Sequence, residues 1–160
     1  MNWIPPNKNF LVTVAQFFVK DDWNIEQIAD SSAFAMWFGG KNGTWACLAR
    51  VSDGRNLFAF YSIFTTNVPE ERRTAVADLL TRINYGLPLG NFELDFADGE
   101  IRFKTSIDIQ GGTLTFDMWK TVVYVNVFTM DMYFPALTKV VEGTTTPEQA
   151  LADIEKSQEK

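Results

Sequence analysis

The chain has 160 residues and a mass of 18.2 kDa, with 46% hydrophobic, 21% charged and 14% aromatic residues, which is the make-up of one ordinary globular domain and not of a disordered chain. It has no histidine and one cysteine, which excludes Ser-His-Asp and Cys-His catalysis, histidine-ligated metal sites and an internal disulfide. A net charge of −6 and a pI of about 4.6 argue against a nucleic-acid partner, which needs a basic surface.

Residues 1–9 read as a flexible Pro/Asn-rich lead-in to a single domain spanning 1–160. They lack the basic and apolar regions of a signal peptide. No uninterrupted 18-residue apolar stretch exists. With a lone cysteine, these features lead us to expect a soluble cytoplasmic protein away from membranes. Phe10, Leu11, Val14, Phe17 and Phe18 recur at helical spacing. Asn7 or Asn9 is placed to cap that helix, which should end near Lys20-Asp21-Asp22.

A short strand is expected within Trp23–Ile28, and three more at Ala33–Phe38, Thr44–Val51 and Asn56–Phe64. Gly39 to Gly43 is a loop, and Asp53-Gly54 is a hairpin turn signal. Both faces of these strands are largely apolar: Trp45, Cys47, Ala49 and Val51 share one face, Ala46 and Leu48 the other, with Arg50. Such a sheet calls for cover on both sides, from helices or a second subunit.

Pro69 to Tyr85 reads as a helix, with Pro69, Glu70 and Glu71 in its first turn and a buried stripe of Val76, Leu79, Leu80 and Ile83. Gly86 suits the position after the C-cap, and Pro88 blocks continuation. Asn91 to Ile109 reads as a second hairpin. A two-residue turn at Asp98-Gly99 would pair Phe96 with Ile101, Leu94 with Phe103, Asp95 with Arg102 and Glu93 with Lys104. Gly111-Gly112 is a joint. Leu114 to Glu142 favours a long helix, apolar nearly all round, either continuous or broken just before Pro135. Thr146-Pro147-Glu148-Gln149 is a capping box opening a terminal helix to Lys156, with a frayed tail at 157–160.

Three runs carry a family likeness: Asn67-Val68-Pro69-Glu70-Glu71-Arg72-Arg73, Asn84-Tyr85-Gly86-Leu87-Pro88-Leu89-Gly90-Asn91-Phe92-Glu93, and Asp98-Gly99-Glu100-Ile101-Arg102. Over about Trp45 to Ala150 the chain resembles the YbjN-like family, proteins described as bacterial sensory-transduction regulators. The resemblance implies a fold like that of type III secretion chaperones: an α+β layer of helices on a twisted antiparallel sheet, here of about five strands. Proteins of that fold are typically homodimers that hold segments of other proteins, so a homodimer with a protein client is expected.

Gly39 to Thr44 lacks the G-x-x-x-x-G-K-[ST] pattern of a phosphate loop and reads as a hairpin loop. Glu93, Asp95, Asp98 and Glu100 do not have EF-hand spacing and read as a solvated sheet face. Asp117 sits near a helix start. Asp131 lies within an apolar helix, and an enzyme using Asp131 or another buried carboxylate as general acid is a third reading, the weakest without histidine, metal ligands or a cofactor loop. Cys47 reads as a buried structural thiol. No catalytic residue, metal or cofactor is expected. Trp119, Phe128, Met130, Met132, Tyr133 and Phe134 suit a partner or dimer surface, since aromatics and methionines are enriched where proteins meet. Arg72 and Arg73 suit a rim that orients the partner. The expectation is a non-enzymatic regulatory or chaperone-like adaptor. The alternative is a sensor enclosing an apolar small molecule between sheet and helices.

Overall fold

The computed structural model describes residues 10–52, 57–109 and 112–159. Helix α1 (Phe10–Lys20) buries Phe10, Thr13, Val14, Phe17 and Phe18, positions that share one side of a helix. Then come β1 (Glu26–Gln27), β2 (Ala33–Gly39), β3 (Thr44–Ser52) and β4 (Leu57–Ile63). A 3-10 turn at Glu70–Arg72 leads into α2 (Arg73–Gly86). The chain continues through β5 (Asn91–Leu94), β6 (Ile101–Asp108), α3 (Phe116–Val141) and α4 (Pro147–Gln158). The lead-in with Asn7 and Asn9, the Asp53-Gly54 turn, Asn56 and Gly111 lie outside the described residues.

The class is α+β, with one antiparallel sheet in the order β1-β2-β3-β4-β6-β5. It has six strands where about five were expected, because Glu26 and Gln27 pair with Ala35 and Phe34. The expected strand from Trp23 shrinks to these two residues. Trp23 turns its ring inward against Phe18 and Phe38, and the chain bends at Asp22, which has φ 59°.

Alternation sorts the sheet into two faces. The inner face carries Phe34, Met36, Trp45, Cys47, Phe58, Phe60 and Phe103, all buried. Helix α1 reaches it through Phe18, whose ring lies 5.9 Å from Phe60. Helix α3 reaches it through Asn126, which is fully buried and donates to the carbonyls of Phe60 and Phe103. A single core cluster takes in all four helices. The helical cover that apolar strands call for is therefore on one face, and no described helix lies on the other.

Two local expectations are corrected. The β5–β6 hairpin pairs Glu93 with Arg102, Leu94 with Ile101 and Phe92 with Phe103, two residues away from the expected register. Asp95 and Asp98 explain the shift. Each accepts a hydrogen bond from the main-chain N–H two residues on, and Asp95 N–H closes on Glu100 O at 2.9 Å. These Asx turns make a longer loop, in which Gly99 has a positive φ and Asp98 does not. Phe96 is left 58% exposed. A shift of two keeps every side chain on its intended face, and Glu93 bonds both Arg102 and Lys104.

The second correction concerns Gly86, which is the last residue of α2. Leu87 is the cap, extended at φ −84°, ψ 125°, as a residue before proline prefers. Pro135 does not break α3, which is continuous. A proline removes the N–H that would bond the carbonyl four residues earlier, here that of Asp131. Asn42 Nδ2 supplies the missing donor at 2.9 Å. Helix α4 also runs to Gln158, past Lys156, with Ser157 Oγ donating to Ile154 O.

Candidate interaction surface

The six residues expected at a partner surface divide by helical phase. Trp119 and Met130 are buried at 1% and 0%. Trp119 packs edge-on to Phe58 at 4.8 Å. Tyr133 and Phe134 are half-buried, with Phe134 stacked 5.7 Å from Trp45. Phe128 and Met132 remain exposed. Between the sheet and α1, Phe17 packs on Phe18 and Trp119, and Phe18 stacks on Phe60.

Arg72 and Arg73 face their own chain. Arg72 Nε and Nη2 both donate to Val140 O, at 3.1 and 2.7 Å. They satisfy a carbonyl in the last turn of α3, where a cation is favoured. Arg73 donates to Val68 O and Phe96 O.

The reactive candidates are likewise committed. Asp131 accepts the main-chain N–H of Lys41 and Asn42, at 3.1 and 2.8 Å. Loop and helix lie so close that a Cβ on Gly40 would sit 2.6 Å from Asp131 Cγ, and one on Gly43 2.7 Å from the Phe134 ring. The two glycines thus serve a close approach to α3. Asp131→Ala is expected to cost about 1–2 kcal/mol in denaturant unfolding, the worth of two hydrogen bonds to a half-exposed charged group. Wild-type stability would show that the clamp contributes nothing.

Asp117 is exposed in the first turn of α3, where Thr115 supplies the cap. Burial pushes the Cys47 thiol up to about 12, against smaller opposing effects of hydrogen bonds with Ser62 and Trp45. The native thiol should therefore resist a disulfide reagent at pH 8 and react at once in denaturant. Rapid labelling of the folded protein would refute this. Among the described residues no group of His, Cys, Asp or Glu could hold a metal ion, and no helix is long and apolar enough to cross a membrane.

Burial raises Glu93, but the hydrogen bonds and charges of Lys104 and Arg102 outweigh it and hold the carboxyl below its ordinary range. A lowered folded value means that the stabilisation is complete above the unfolded carboxylate pKa and is lost as pH falls through the folded value. The Tm gap between wild type and Glu93→Gln should accordingly close in acid. A gap independent of pH would contradict the assignment.

One carboxylate escaped sequence reasoning. Asp21, with a side chain only 8% exposed, accepts from Trp23 Nε1, Tyr124 OH and Lys120 Nζ. It pins the end of α1 to α3. Its only sequence signal was a helix end.

The outer face of the sheet is different. The registers place Ala35, Leu48 and Tyr61 in one row and Trp37, Ala46 and Ile63 in the next. Trp37 is 71% exposed, and Ala35, Ala46, Leu48, Tyr61 and Ile63 are half-buried. Soluble monomers seldom leave so contiguous an apolar surface open.

The profile of the YbjN family, described as "Putative bacterial sensory transduction regulator", matches residues 11–139. The chain belongs to the YbjN family. Among solved structures it is similar to "YbjN, a putative transcription regulator from E. coli", at 15% identity, with 79% of this chain and 89% of that one covered and a TM-score of 0.63. At that identity the likeness shows a YbjN fold. A search of curated proteins found no match.

The runs that carry the YbjN likeness form a structural joint. Val68 N–H bonds Gly99 O at 2.8 Å, Asn67 Nδ2 donates to Asp98 O, and Phe64 N–H bonds Ile101 O. Asn84 completes the joint at the sheet edge. Its side chain accepts from Phe92 N–H at 2.7 Å and donates to Phe92 O at 3.0 Å. One amide thereby satisfies the outward peptide groups of an edge strand that would otherwise invite another chain.

Proposed function

We propose that this chain is a non-enzymatic, cytoplasmic regulatory adaptor of the YbjN family that works by docking protein on the outer face of its sheet. The observation that carries this reading is the uncovered apolar surface around Trp37. Phe128 and Met132 offer a second, smaller apolar strip on α3. The side chains that would suggest chemistry support the same reading. Asp131 is held by two main-chain N–H groups, Cys47 is a protonated buried thiol, and Glu93 is neutralised by two cations.

The test is mild affinity capture of the tagged chain from its native host, in parallel with Trp37→Lys. A substitution at so exposed a site should alter stability by no more than about 0.5 kcal/mol. A stoichiometric protein retained by the wild type and lost from the variant is expected. Identical captures, or none, would refute docking on this face.

A further inference from the structure

We propose that Asn42 is a deamidation site, and that its conversion to an aspartyl or isoaspartyl residue opens the clamp between the Gly40–Gly43 loop and α3. Asn42-Gly43 is the one Asn-Gly pair in the chain. Such a pair is the most readily deamidated, because a residue without a Cβ leaves its main-chain nitrogen open to the preceding side chain. The fold explains why so labile a pair stands here. A Cβ on Gly43 would lie 2.7 Å from the Phe134 ring, so the packing of α3 demands the glycine. It demands the asparagine as well, since Asn42 Nδ2 donates to the Asp131 carbonyl that Pro135 leaves without a main-chain donor. Asn42 is exposed, so water reaches it. Its chemistry is independent of what docks on the sheet.

The reaction needs only water. The Gly43 main-chain nitrogen gives up its proton and bonds to Cγ of Asn42. The Cγ–Nδ2 bond breaks, and Nδ2 leaves as ammonia, its third hydrogen replacing the one that Gly43 lost. The product is a five-membered succinimide. One water then opens the ring at either carbonyl. Breaking the new bond to Cγ gives aspartate, and breaking the bond to the main-chain carbonyl carbon of Asn42 gives isoaspartate. One water is consumed and one ammonia released, with no change of oxidation state.

The clamp holds this reaction back and is then undone by it. In the closed loop Asn42 Nδ2 lies 2.9 Å from Asp131 O, and the Asn42 main-chain nitrogen lies 2.8 Å from Asp131 Oδ1. Turning Cγ onto the Gly43 nitrogen draws Nδ2 off its acceptor, so the rate follows the fraction of molecules whose loop has lifted. After conversion the side chain is an ionised carboxylate, which accepts hydrogen bonds and donates none. It would face the Asp131 carbonyl with the Asp131 carboxylate close by, adding one negative charge to a chain already at −6. In isoaspartate the main chain also gains an atom, in a loop whose Gly40 and Gly43 already lie against Asp131 and Phe134. The lifted loop then lacks the donor that closed it, and Phe134, half-buried and stacked on Trp45, loses cover. The clamp is thus a one-way latch, sprung by the time it spends open.

The test is mass spectrometry of the whole protein held in mildly alkaline buffer, with fragmentation to place the amide-to-acid mass change. The wild type should convert at Asn42 slowly when folded and much faster in urea. Removing both Asp131 side-chain hydrogen bonds in Asp131→Ala should raise the folded rate about 5–30-fold, the change in open fraction that their loss implies. Asn42→Asp should speed hydrogen exchange at the Lys41 amide, which is bonded to Asp131 Oδ2 in the closed loop. Asn42→Asp and Asp131→Ala together should lower Tm hardly more than either alone, since both open one clamp. Equal wild-type rates in buffer and in urea would overturn the gating, whether or not Asp131→Ala folds. No conversion at Asn42 in urea would overturn the site itself. A Lys41 amide as protected in Asn42→Asp as in the wild type would overturn the latch.

Discussion

Trp119→Ala should remove about 3–5 kcal/mol of stability, the usual cost of truncating a buried aromatic ring. The ring is 1% exposed and lies 4.8 Å from Phe58, 5.8 Å from Phe10 and 5.9 Å from Phe17. Helix α1 and strand β4 would therefore line the cavity, and it cannot collapse without pulling α1 from the sheet. One effect opposes the loss. The indole Nε1–H is buried without a hydrogen-bond partner, so deleting it removes a desolvated donor. The low end of the range, about 3 kcal/mol, is accordingly expected, or a fall in Tm of about 10 °C at this chain length. Phe128→Ala, on the same helix but 57% exposed, should cost less than about 1 kcal/mol. Equal losses at the two positions in urea unfolding would refute the division of α3 into a core side and a free side.

Gly99→Ala should cost about 3 kcal/mol or more. Gly99 has φ +85°, a conformation that costs residues with a Cβ about 1–2 kcal/mol. The added methyl would also lie 2.8 Å from Val68 N and 3.1 Å from Val68 C. These are main-chain atoms that cannot rotate away, and Val68 N–H is itself bonded to Gly99 O. The joint between the β4–α2 connection and the β5–β6 hairpin would have to open. Gly86→Ala should act in the opposite sense. It is helical, and a Cβ there would meet nothing within 4 Å, so a gain of about 0.5–1 kcal/mol is expected from helix propensity. Similar effects of either sign at the two glycines would show that backbone conformation does not govern them.

Local periodicity made most of this fold legible. Helix α1, the strands from Ala33 to Ile63, and α2 follow from apolar spacing and from residues at their ends. The helical phase of Trp119, Val123, Asn126, Val127 and Met130 was also available in the sequence and separates the buried side of α3 from Met118, Phe128 and Met132. Treating the aromatics and methionines as one set blurred that line. The hairpin register was missed because two aspartates compete for the turn through their side chains, a choice that cross-strand pairing alone does not decide. What the sequence concealed is long-range. Proline arithmetic marks the Asp131 carbonyl as lacking a donor, but the donor sits 89 residues away in Asn42. Arg72 and Arg73 looked like surface cations because their acceptors, the carbonyls of Val140 and Phe96, carry no side-chain signature. The outer face was half legible: strands apolar on both sides announced a need for cover, and only the topology showed which side the helices left bare.

The clamp between Asp131 and the Gly40–Gly43 loop bears on how this family can vary and be engineered. A tip joining two antiparallel strands is ordinarily where evolution lengthens a protein and where an epitope tag or a fused domain is tolerated. Here the connection is fixed in length by a helix distant in sequence. Asn42 must reach a proline-vacated carbonyl, and two glycines must let the helix pass. An insertion there would unseat the middle of α3 and should be selected against, so natural members keeping Pro135 should also keep this loop short.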